Sequence, residues 1–591
     1  MSLNHDLSDL FRTFAAIMEI KGEAVFKAIA FSKVSRIIGD MTFDLREAVE
    51  KGTLDQIEGI GASSQKIIED FVKTGRSSDF DEVYASVPPG LIPMLGIPGL
   101  GPKTIALFWK QRGITSIDEL IKAIDSGALN GLKGIGEKKL QSIKQGIEMR
   151  EQAAKRMGIG EALPIAQELL DQVRALPLID KAEIAGSLRR RKETVGDVDI
   201  VCCCTDGKKC ADITAAFVKF PQVGKILGEG DTKASIVTAG GLQVDLRVVP
   251  VENFGAALLY FTGSKDHNVR IRGLAQDNGM TLNEWGLYKL DAYEKADKET
   301  AKPPKLKPLA SKSEAEIYKK LGMDFIEPEI RENRGEVDLA LKGKLPKLIE
   351  LSDYKGDLHS HTTASDGTAS IEQMAEAAIA RGYSFLAITD HSKSQVIANG
   401  LTAERLLAHA KAIRKVSDKL GKKIRLLAGC EVDILVDGRL DFEESVLAEL
   451  DYVVASPHVS LKQDEAKATD RIVRAIESKY VNVIGHPTGR LINARAGLPL
   501  NFSRIYKAAA ATGTALEINA GYPRLDLNDI NARGAIENGV MLSINTDAHS
   551  PQGFEEIAPG ITVARRAGAT KEHVINCMSL EKLLGLIARK R

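Results

Sequence analysis

Along the first 155 residues, apolar positions recur at three-to-four spacing and are interrupted by glycines. The stretch from Leu7 to Ile20 is one example, and the pattern predicts short helices joined by glycine-rich turns. Near residue 160 the period changes. Ile184 to Cys204, Ala234 to Thr238 and Leu242 to Val249 carry β-branched runs with alternation and read as strands. Lys295 to Lys312, rich in Lys, Pro and Ala, reads as an exposed loop or insertion, and 330–355 as a charged connector. From 356 onward short buried strands alternate with amphipathic helices: Phe385 to Thr389, Arg425 to Ala428, Tyr452 to Ala455, Val483 to Gly485, Ala515 to Ile518 and Met541 to Asn545. That alternation predicts an α/β barrel with its active site at the C-terminal ends of the strands.

At 591 residues the chain is too long for one core, and about three to five domains are expected. Hydrophobic content of 44% and charged content of 27% are ordinary for a globular protein. Lys+Arg and Asp+Glu are both 80, so a case for nucleic-acid binding must rest on local geometry. Cys202, Cys203 and Cys204 are adjacent in an apolar run and would alternate between strand faces, which disfavours pairing. With Cys210, Cys430 and Cys577 they read as reduced core residues, and no Cys-x-x-Cys spacing supports a zinc site. The N-terminus lacks the pattern of a signal peptide and no apolar run reaches membrane-spanning length. The expectation is a cytoplasmic protein, without membrane contact and monomeric.

An apolar-x-Gly-apolar-Gly unit occurs three times: at Ile57 with Gly59 and Gly61, at Ile97 with Gly99 and Gly101, and at Leu132 with Gly134 and Gly136. Each is followed by helix formers and a lysine, Lys66, Lys103 or Lys138. Two glycines allow a tight turn that presents N–H groups at a helix start, where they can bind a phosphate oxygen without reading bases. One copy alone would read as an ordinary turn between helices; three copies favour backbone binding.

In the segment GSLRRRKETVGDVDIV (186–201), Asp197 and Asp199 would share one strand face. If the strand holding Asp245 is a neighbour, three carboxylates meet, and such a cluster calls for divalent cations, Mg²⁺ or Mn²⁺. Gly186 and Ser187 open a turn able to hold phosphate, with Arg189 and Arg190 adding charge. A metal beside a phosphate cradle suits phosphoryl transfer. The plainer alternative is a solvated strand end paired with arginines.

Histidine is scarce, with ten in the chain, yet His359, His361, His391, His458, His486 and His549 all sit beside short apolar runs. His359 and His361 alternate on one face, Asp366 and His391 complete a site, and Glu431 can bridge two ions. His458, His486, Asp547 and His549 supply a further set. Nine N and O ligands without thiolate favour two or three Mn²⁺, Zn²⁺ or Fe ions, a centre that hydrolyses phosphoesters. His409 and His573 lie in polar helical surroundings and read as bland.

The segment 186–201, then GDTK (230–233), VDLR (244–247) and Tyr260-Phe261-Thr262-Gly263-Ser264, resembles the catalytic part of family X DNA polymerases across roughly 1–330. The three glycine units resemble helix-hairpin-helix motifs, and the nine ligands resemble a complete PHP (polymerase and histidinol phosphatase) set over about 355–575. The first resemblance implies Asp197, Asp199 and Asp245 as metal ligands, with Asp245 also acting on the primer 3′ hydroxyl. It implies Ser187, Arg190 and Gly196, beside Gly186, around the triphosphate, and Tyr260, Phe261 and Gly263 at the sugar. It further implies Arg270 on the template side, with Lys233 and Arg247 as charged neighbours of the metals. Gln243 stands where some members carry an arginine, and the segment Lys265 to Asn268 is of the shorter, bacterial form. Lys66 lies one residue from the lyase lysine of some relatives, and lyase activity is left unassigned. Arg490 and Lys462 are candidates for phosphate binding at the PHP site.

The implied fold is multidomain. It comprises a helical helix-hairpin-helix domain (1–80), a helical fingers-type domain (81–155) and an α+β nucleotidyltransferase palm (156–255). A small α/β thumb (256–330), a linker (331–355) and a distorted (β/α)7 PHP barrel (356–591) follow. The implied activity is gap-filling repair synthesis on gapped or primed DNA with dNTPs, joined to a 3′–5′ exonuclease. Abasic-site endonuclease and 3′-phosphatase activities are further options. The alternatives are a nucleotidyltransferase on a non-DNA substrate with a PHP phosphoesterase, and a DNA-binding protein whose PHP domain is structural.

Overall fold

A computed structural model describes residues 3–590 except 23–24, 40–44, 58, 96, 98–99, 133, 138, 142, 145–146, 148–155, 207–208 and 297–302. In the N-terminal unit, helix Leu3–Lys21 buries Leu7, Phe11 and Phe14 at the expected spacing, against Phe31, Val34 and Ile68. A second core gathers Leu91, Ile105, Phe108, Leu120 and Leu129, and takes Ile17 and Ile20 from the same first helix.

The palm follows. β1 (Met157–Gly158) pairs with β3 (Thr194–Val195), and helix Ile159–Arg174 packs on a sheet of five strands. These are β2 (Ile179–Ile184), β4 (Asp197–Cys204), β5 (Val223–Glu229), β6 (Lys233–Thr238) and β7 (Gln243–Pro250), in the order β2-β4-β7-β6-β5. Only β4 and β7 run parallel, and their register sets Asp199 opposite Asp245. The strand expected from Ile184 to Cys204 is interrupted by one helical turn, Gly186–Arg189, entered through Gly186 at φ +64°. Edge strand β5 was not foreseen, because its face is exposed and carries no apolar alternation. Cys202 and Cys204 face one core and Cys203 the other; all six cysteines are buried and free.

The thumb carries helices Phe254–Thr262 and Lys265–Asp277 and the hairpin β8 (Met280–Asn283)–β9 (Gly286–Lys289). The end of the expected insertion is built in: Leu309 N–H donates to Leu287 O at 2.7 Å, and Ala310 is buried. Residues 297–302 of that stretch lie outside the described residues. The connector is corrected too. Arg331, Glu336, Val337 and Ile349 are buried, and Glu336–Leu341 is helical, so 331–355 is packed structure rather than a free linker. Charged residues misled the sequence reading here because their charges are paired inside the fold.

The C-terminal part holds β10 (Gly356–Asp357), β11 (Phe385–Ile388), β12 (Arg425–Asp433), β13 (Tyr452–Ser456), β14 (Val483–Ile484), β15 (Ala515–Asn519) and β16 (Leu542–Asn545). All are parallel and neighbours in sequence order, and a bridge between Ser360 and Ala548 joins the two ends of the sheet. This is the expected seven-stranded barrel. Strands β11 and β13 are buried at every residue because helices cover the outside, which is why they read as continuous apolar runs.

Glu314 pins the thumb to the palm. It receives Arg189 on both oxygens, at 2.9 and 2.7 Å, and Arg331 at 2.5 Å. Burial alone would raise its carboxyl, but Arg331 and Arg189 hold it down at about 2. Glu314→Gln leaves one buried and one half-buried guanidinium group short of charge, and about 3 kcal/mol of stability should be lost in denaturant titration at neutral pH. The folded pKa lies below the unfolded one. The wild-type advantage should therefore be complete above about 4.5 and vanish as pH falls toward about 2.

Candidate functional site

All three glycine units make the same hairpin hydrogen bond. Ile60 N–H donates to Ile57 O at 3.1 Å, and Ile135 N–H to Leu132 O at 3.0 Å. In the middle unit Leu100 N–H donates to Ile97 O at 3.1 Å, while Gly99 lies outside the described residues. Ile60, Leu100 and Ile135 are buried, and each anchors an exposed turn. Gly59 and Gly134 take φ values of +92° and +82°. Gly61 and Gly101 cap the helices Ala62–Thr74 and Pro102–Arg112. A Cβ added at Gly61, Gly101 or Gly136 would meet nothing within 4 Å. The turns therefore present open N–H faces at helix starts. Lys66 is paired with Asp79 at 3.0 Å.

In the palm, Asp197 and Asp199 leave one face of β4, and Asp245 leaves β7 beside them. Burial first, then the charges of Asp197 and Asp245, pushes Asp199 up to about 7. Such crowding of carboxylates is relieved by a cation. Lys233 supplies part of that charge, with Nζ 3.0 Å from Asp245 Oδ2, while Gln243 donates to Asp245 Oδ1 at 3.2 Å. Both oxygens of Asp245 are thus engaged, and the three aspartates do not close to within 4.8 Å as a group. The donor set, oxygen only, fits Mg²⁺ or Mn²⁺.

Gly186 is required where it stands, since a Cβ there would lie 2.5 Å from Asp199 Oδ2. Ser187 follows in the same turn. Arg190 reaches the Thr262 carbonyl at 2.5 Å and Glu332 at 3.1 Å. A Cβ at Gly263 would come within 3.1 Å of Arg190 Nη1. Tyr260 and Phe261 stack edge-on at 5.2 Å, with Arg247 4.9 Å above the Phe261 ring. Gly196 lies near Arg156, and Arg270 pairs with Asp338 at 3.0 Å on the surface.

In the barrel, six of the seven strand ends deliver the expected ligands. They are His359 and His361 after β10, His391 after β11, Glu431 in β12, His458 after β13, His486 after β14, and Asp547 and His549 after β16. Asp366 comes from the loop following β10. Three groups converge within 4.8 Å: His361, Asp366, His391 and His549; His359, His361, Glu431 and Asp547; His391, Glu431 and His458. His486 joins through Glu431, at 3.0 Å.

Glu431 touches five imidazoles, from 2.8 Å at His391 to 3.8 Å at His361. Burial would raise its carboxyl, yet His458, His359 and His391 hold it well below the usual range. His361 goes the other way: burial, then His549 and His391, press it to about 4, so it is a neutral ligand near pH 7. Buried atoms of this set lack hydrogen-bond partners: Nε2 of His359, Nδ1 of His361, His391 and His486, Oδ2 of Asp366 and Oε2 of Glu431. Buried nitrogen and oxygen atoms grouped this closely without good hydrogen bonds, His391 Nδ1 and Glu431 Oε2 at 2.8 Å among them, fit metal ions. His486 and Asp547 also stand at positive φ, +24° and +57°, a strained backbone found at ligand clamps.

The sequence reading missed the supports of this set. Glu517 of β15 accepts from His359 Nδ1 at 2.8 Å, His486 N at 2.6 Å and Asn545 Nδ2 at 2.8 Å. Asp433 holds His458 Nδ1 at 2.7 Å, and Asp357 receives His359 N and Thr546. The available signal was an acidic residue inside an otherwise apolar strand. His409 was read as bland; its Nε2 lies 2.8 Å from Asp390, which also receives Thr362 and Ser365. His573 caps a turn through Thr570, as a structural residue would. Arg490 is corrected: it grips Glu193 of the palm at 3.1 and 2.7 Å and is not available to substrate. Lys462 is exposed. Arg524 stands at the rim instead, with Nε 4.0 Å from Asp547 Oδ2.

Known families cover most of these parts. A helix-hairpin-helix domain matches residues 2–77, a SAM-like helix-hairpin-helix tandem 91–149, the DNA polymerase beta thumb 257–332 and the PHP domain 357–521. The DNA polymerase/3′-5′ exonuclease PolX of Bacillus subtilis (strain 168) is 38% identical over 99% of this chain and 99% of its own. The chain belongs to the bacterial PolX family, family X DNA polymerases with a PHP domain. A probable phosphatase of Thermoanaerobacter sp. (strain X514) is 28% identical over 37% of this chain and 89% of its own length. Against solved structures, a Leishmania infantum polymerase beta ternary P/T complex aligns with 41% of this chain and 99% of its own, at 24% identity and a TM-score of 0.28. The PHP match of this PolX member stops at 521, before Asp547 and His549, which the barrel nevertheless returns to the cluster.

Glu517→Gln tests the support directly. Chelator competition on the purified protein should show metal held roughly 10- to 100-fold more weakly in the barrel, with the fold retained.

Proposed function

We propose that this protein is a repair-type DNA polymerase that fills short gaps and carries a metal-dependent 3′–5′ exonuclease in its PHP barrel. The reading is supported by the clustered barrel residues and by the register that sets Asp199 opposite Asp245, in one chain that aligns end to end with a polymerase/exonuclease. Asp197, Asp199 and Asp245 would hold Mg²⁺ or Mn²⁺ ions, which supply positive charge to the attacking and leaving oxygens. Asp245 would also orient the primer 3′ hydroxyl and take its proton. Ser187, Arg190 and the Gly186 turn receive the triphosphate of the incoming dNTP, and Gly196 borders it. Tyr260, Phe261 and Gly263 shape the sugar pocket, while Arg270 faces the template side. Lys233 and Arg247 balance the acidic trio.

The nine barrel residues would hold two or three Mn²⁺, Zn²⁺ or Fe ions. Arg524, rather than Arg490, would be the cation that meets the scissile phosphate. The hairpin glycines, Gly59, Gly61, Gly99, Gly101, Gly134 and Gly136, would grip DNA backbone on either side of a gap. The reading is of a monomer working on DNA in the cytoplasm. Among the described residues no helix is long and apolar enough to cross a membrane.

Primer extension and degradation on a one-nucleotide gap separate the two centres. Asp199→Ala should abolish synthesis and keep 3′ degradation, and His391→Ala should do the reverse; loss of both activities in either variant would remove the two-centre reading. Gly101→Val tests the hairpins. The space around Gly101 is open, so the fold should survive. Gapped-duplex binding should weaken and its salt slope should fall by about 1, the signature of one lost phosphate contact.

A further inference from the structure

The palm and barrel meet across a built interface. Tyr522 lies against Gly158 and Gly160, and a Cβ at Gly160 would come within 2.6 Å of its ring; its hydroxyl donates to Glu161 at 2.9 Å. Asn493 donates to Arg156 O at 3.1 Å, and Arg490 clasps Glu193. At one edge of this interface lies Glu332, and its Oε1 is shared. Arg190 Nε of the palm approaches it at 3.1 Å, and Arg566 of the barrel at 3.2 and 3.3 Å.

Arg566 ends the barrel helix Ile557–Arg566 and is almost fully buried. It also donates to Asp529 at 2.8 Å, to Glu329 O at 3.3 Å and to the main-chain carbonyl of Arg190 itself. Arg566 therefore touches Arg190 at its carbonyl directly and at Nε through Glu332, while Arg190 Nη1 donates to the Thr262 carbonyl. Neither Glu332 nor Arg566 belongs to either metal centre. Two cations on one carboxylate oxygen repel each other and compete for its lone pairs, so the net hold on each is weaker than on one alone. The second cation thus governs how firmly Glu332 detains the guanidinium of Arg190.

We infer that Arg566, a residue of the nuclease barrel, is a positioning residue for DNA synthesis: by sharing Glu332 it leaves Arg190 free to meet the triphosphate of the incoming nucleotide. This rests on the assignment of Arg190 to the triphosphate. With Arg566 removed, Glu332 has Arg190 as its remaining close cation in this cluster and holds it back from nucleotide. The barrel then contributes to nucleotide affinity in the palm without touching the nucleotide.

The test is steady-state single-nucleotide gap filling by the full chain, with 3′ degradation of single-stranded DNA and thermal unfolding measured on the same preparations. Arg566→Ala should raise KM for the dNTP by about fivefold or more. Its kcat and its degradation rate should stay within about twofold of wild type, inside the scatter of remote substitutions. Adding Glu332→Gln to Arg566→Ala should bring KM back toward wild type, since the detaining charge is gone. Glu332→Gln alone should lower KM or leave it unchanged, which gives a readout even if Arg566→Ala folds poorly. An unchanged KM in Arg566→Ala overturns the inference. So does a rise that Glu332→Gln fails to reverse, or a rise in Glu332→Gln alone. Arg190→Ala separates the two levels: if it leaves KM unchanged, the triphosphate assignment itself is wrong; if it raises KM while Arg566→Ala does not, only the coupling is.

Discussion

Buried carboxylates need counter-charge, and the architecture from residue 156 onward answers that need at several places. Where protein cations are in reach, the result is a lock. Glu314 between Arg189 and Arg331 fixes the thumb, and the half-exposed Glu193 against Arg490 joins palm to barrel. Where they are scarce, the result is a site. Asp199 shares its face of the sheet with two more acids and has Lys233 and Arg247 as its nearby cations. Glu431 is ringed by imidazoles that can hold ions together with it. The same electrostatic cost thus yields rigidity in one place and metal affinity in another.

Parallel strand pairing is the geometric device in both centres. In the palm, β4 and β7 are the only parallel pair of a mixed sheet, and their register brings Asp199 and Asp245 abreast. In the barrel every pair is parallel, so all strands finish at one rim and seven short segments can each deliver a ligand or its support. β15 is instructive. It gives no ligand, yet its Glu517 holds His359, the backbone of His486 and Asn545, and so fixes the shape of the cluster.

The barrel is also part of the polymerase in a mechanical sense. Arg490, Tyr522, Asn493 and Arg566 all reach back to palm or thumb residues. An arginine close in sequence to His486 looked like a substrate contact for that reason alone. Its two hydrogen bonds to Glu193 show that sequence proximity to a ligand does not decide which way a long side chain runs.

The chain's own letters determined the chemistry: which carboxylates and imidazoles exist, their strand-end spacing, and the glycines that permit the hairpins and the Gly186 turn. These are legible because they are local, set by period-two alternation and by backbone freedom. Tertiary structure alone decided which charges meet. Residues 331–355 read as a polar connector because Arg331 and Glu336 carry charge, yet both are buried against partners distant in sequence. Glu517, Asp433 and His409 were unremarkable as letters and became supports only when strands and helices brought them against the ligands. A charge's role is set by its nearest opposite charge, and across a fold of parallel strands that neighbour is seldom close in sequence.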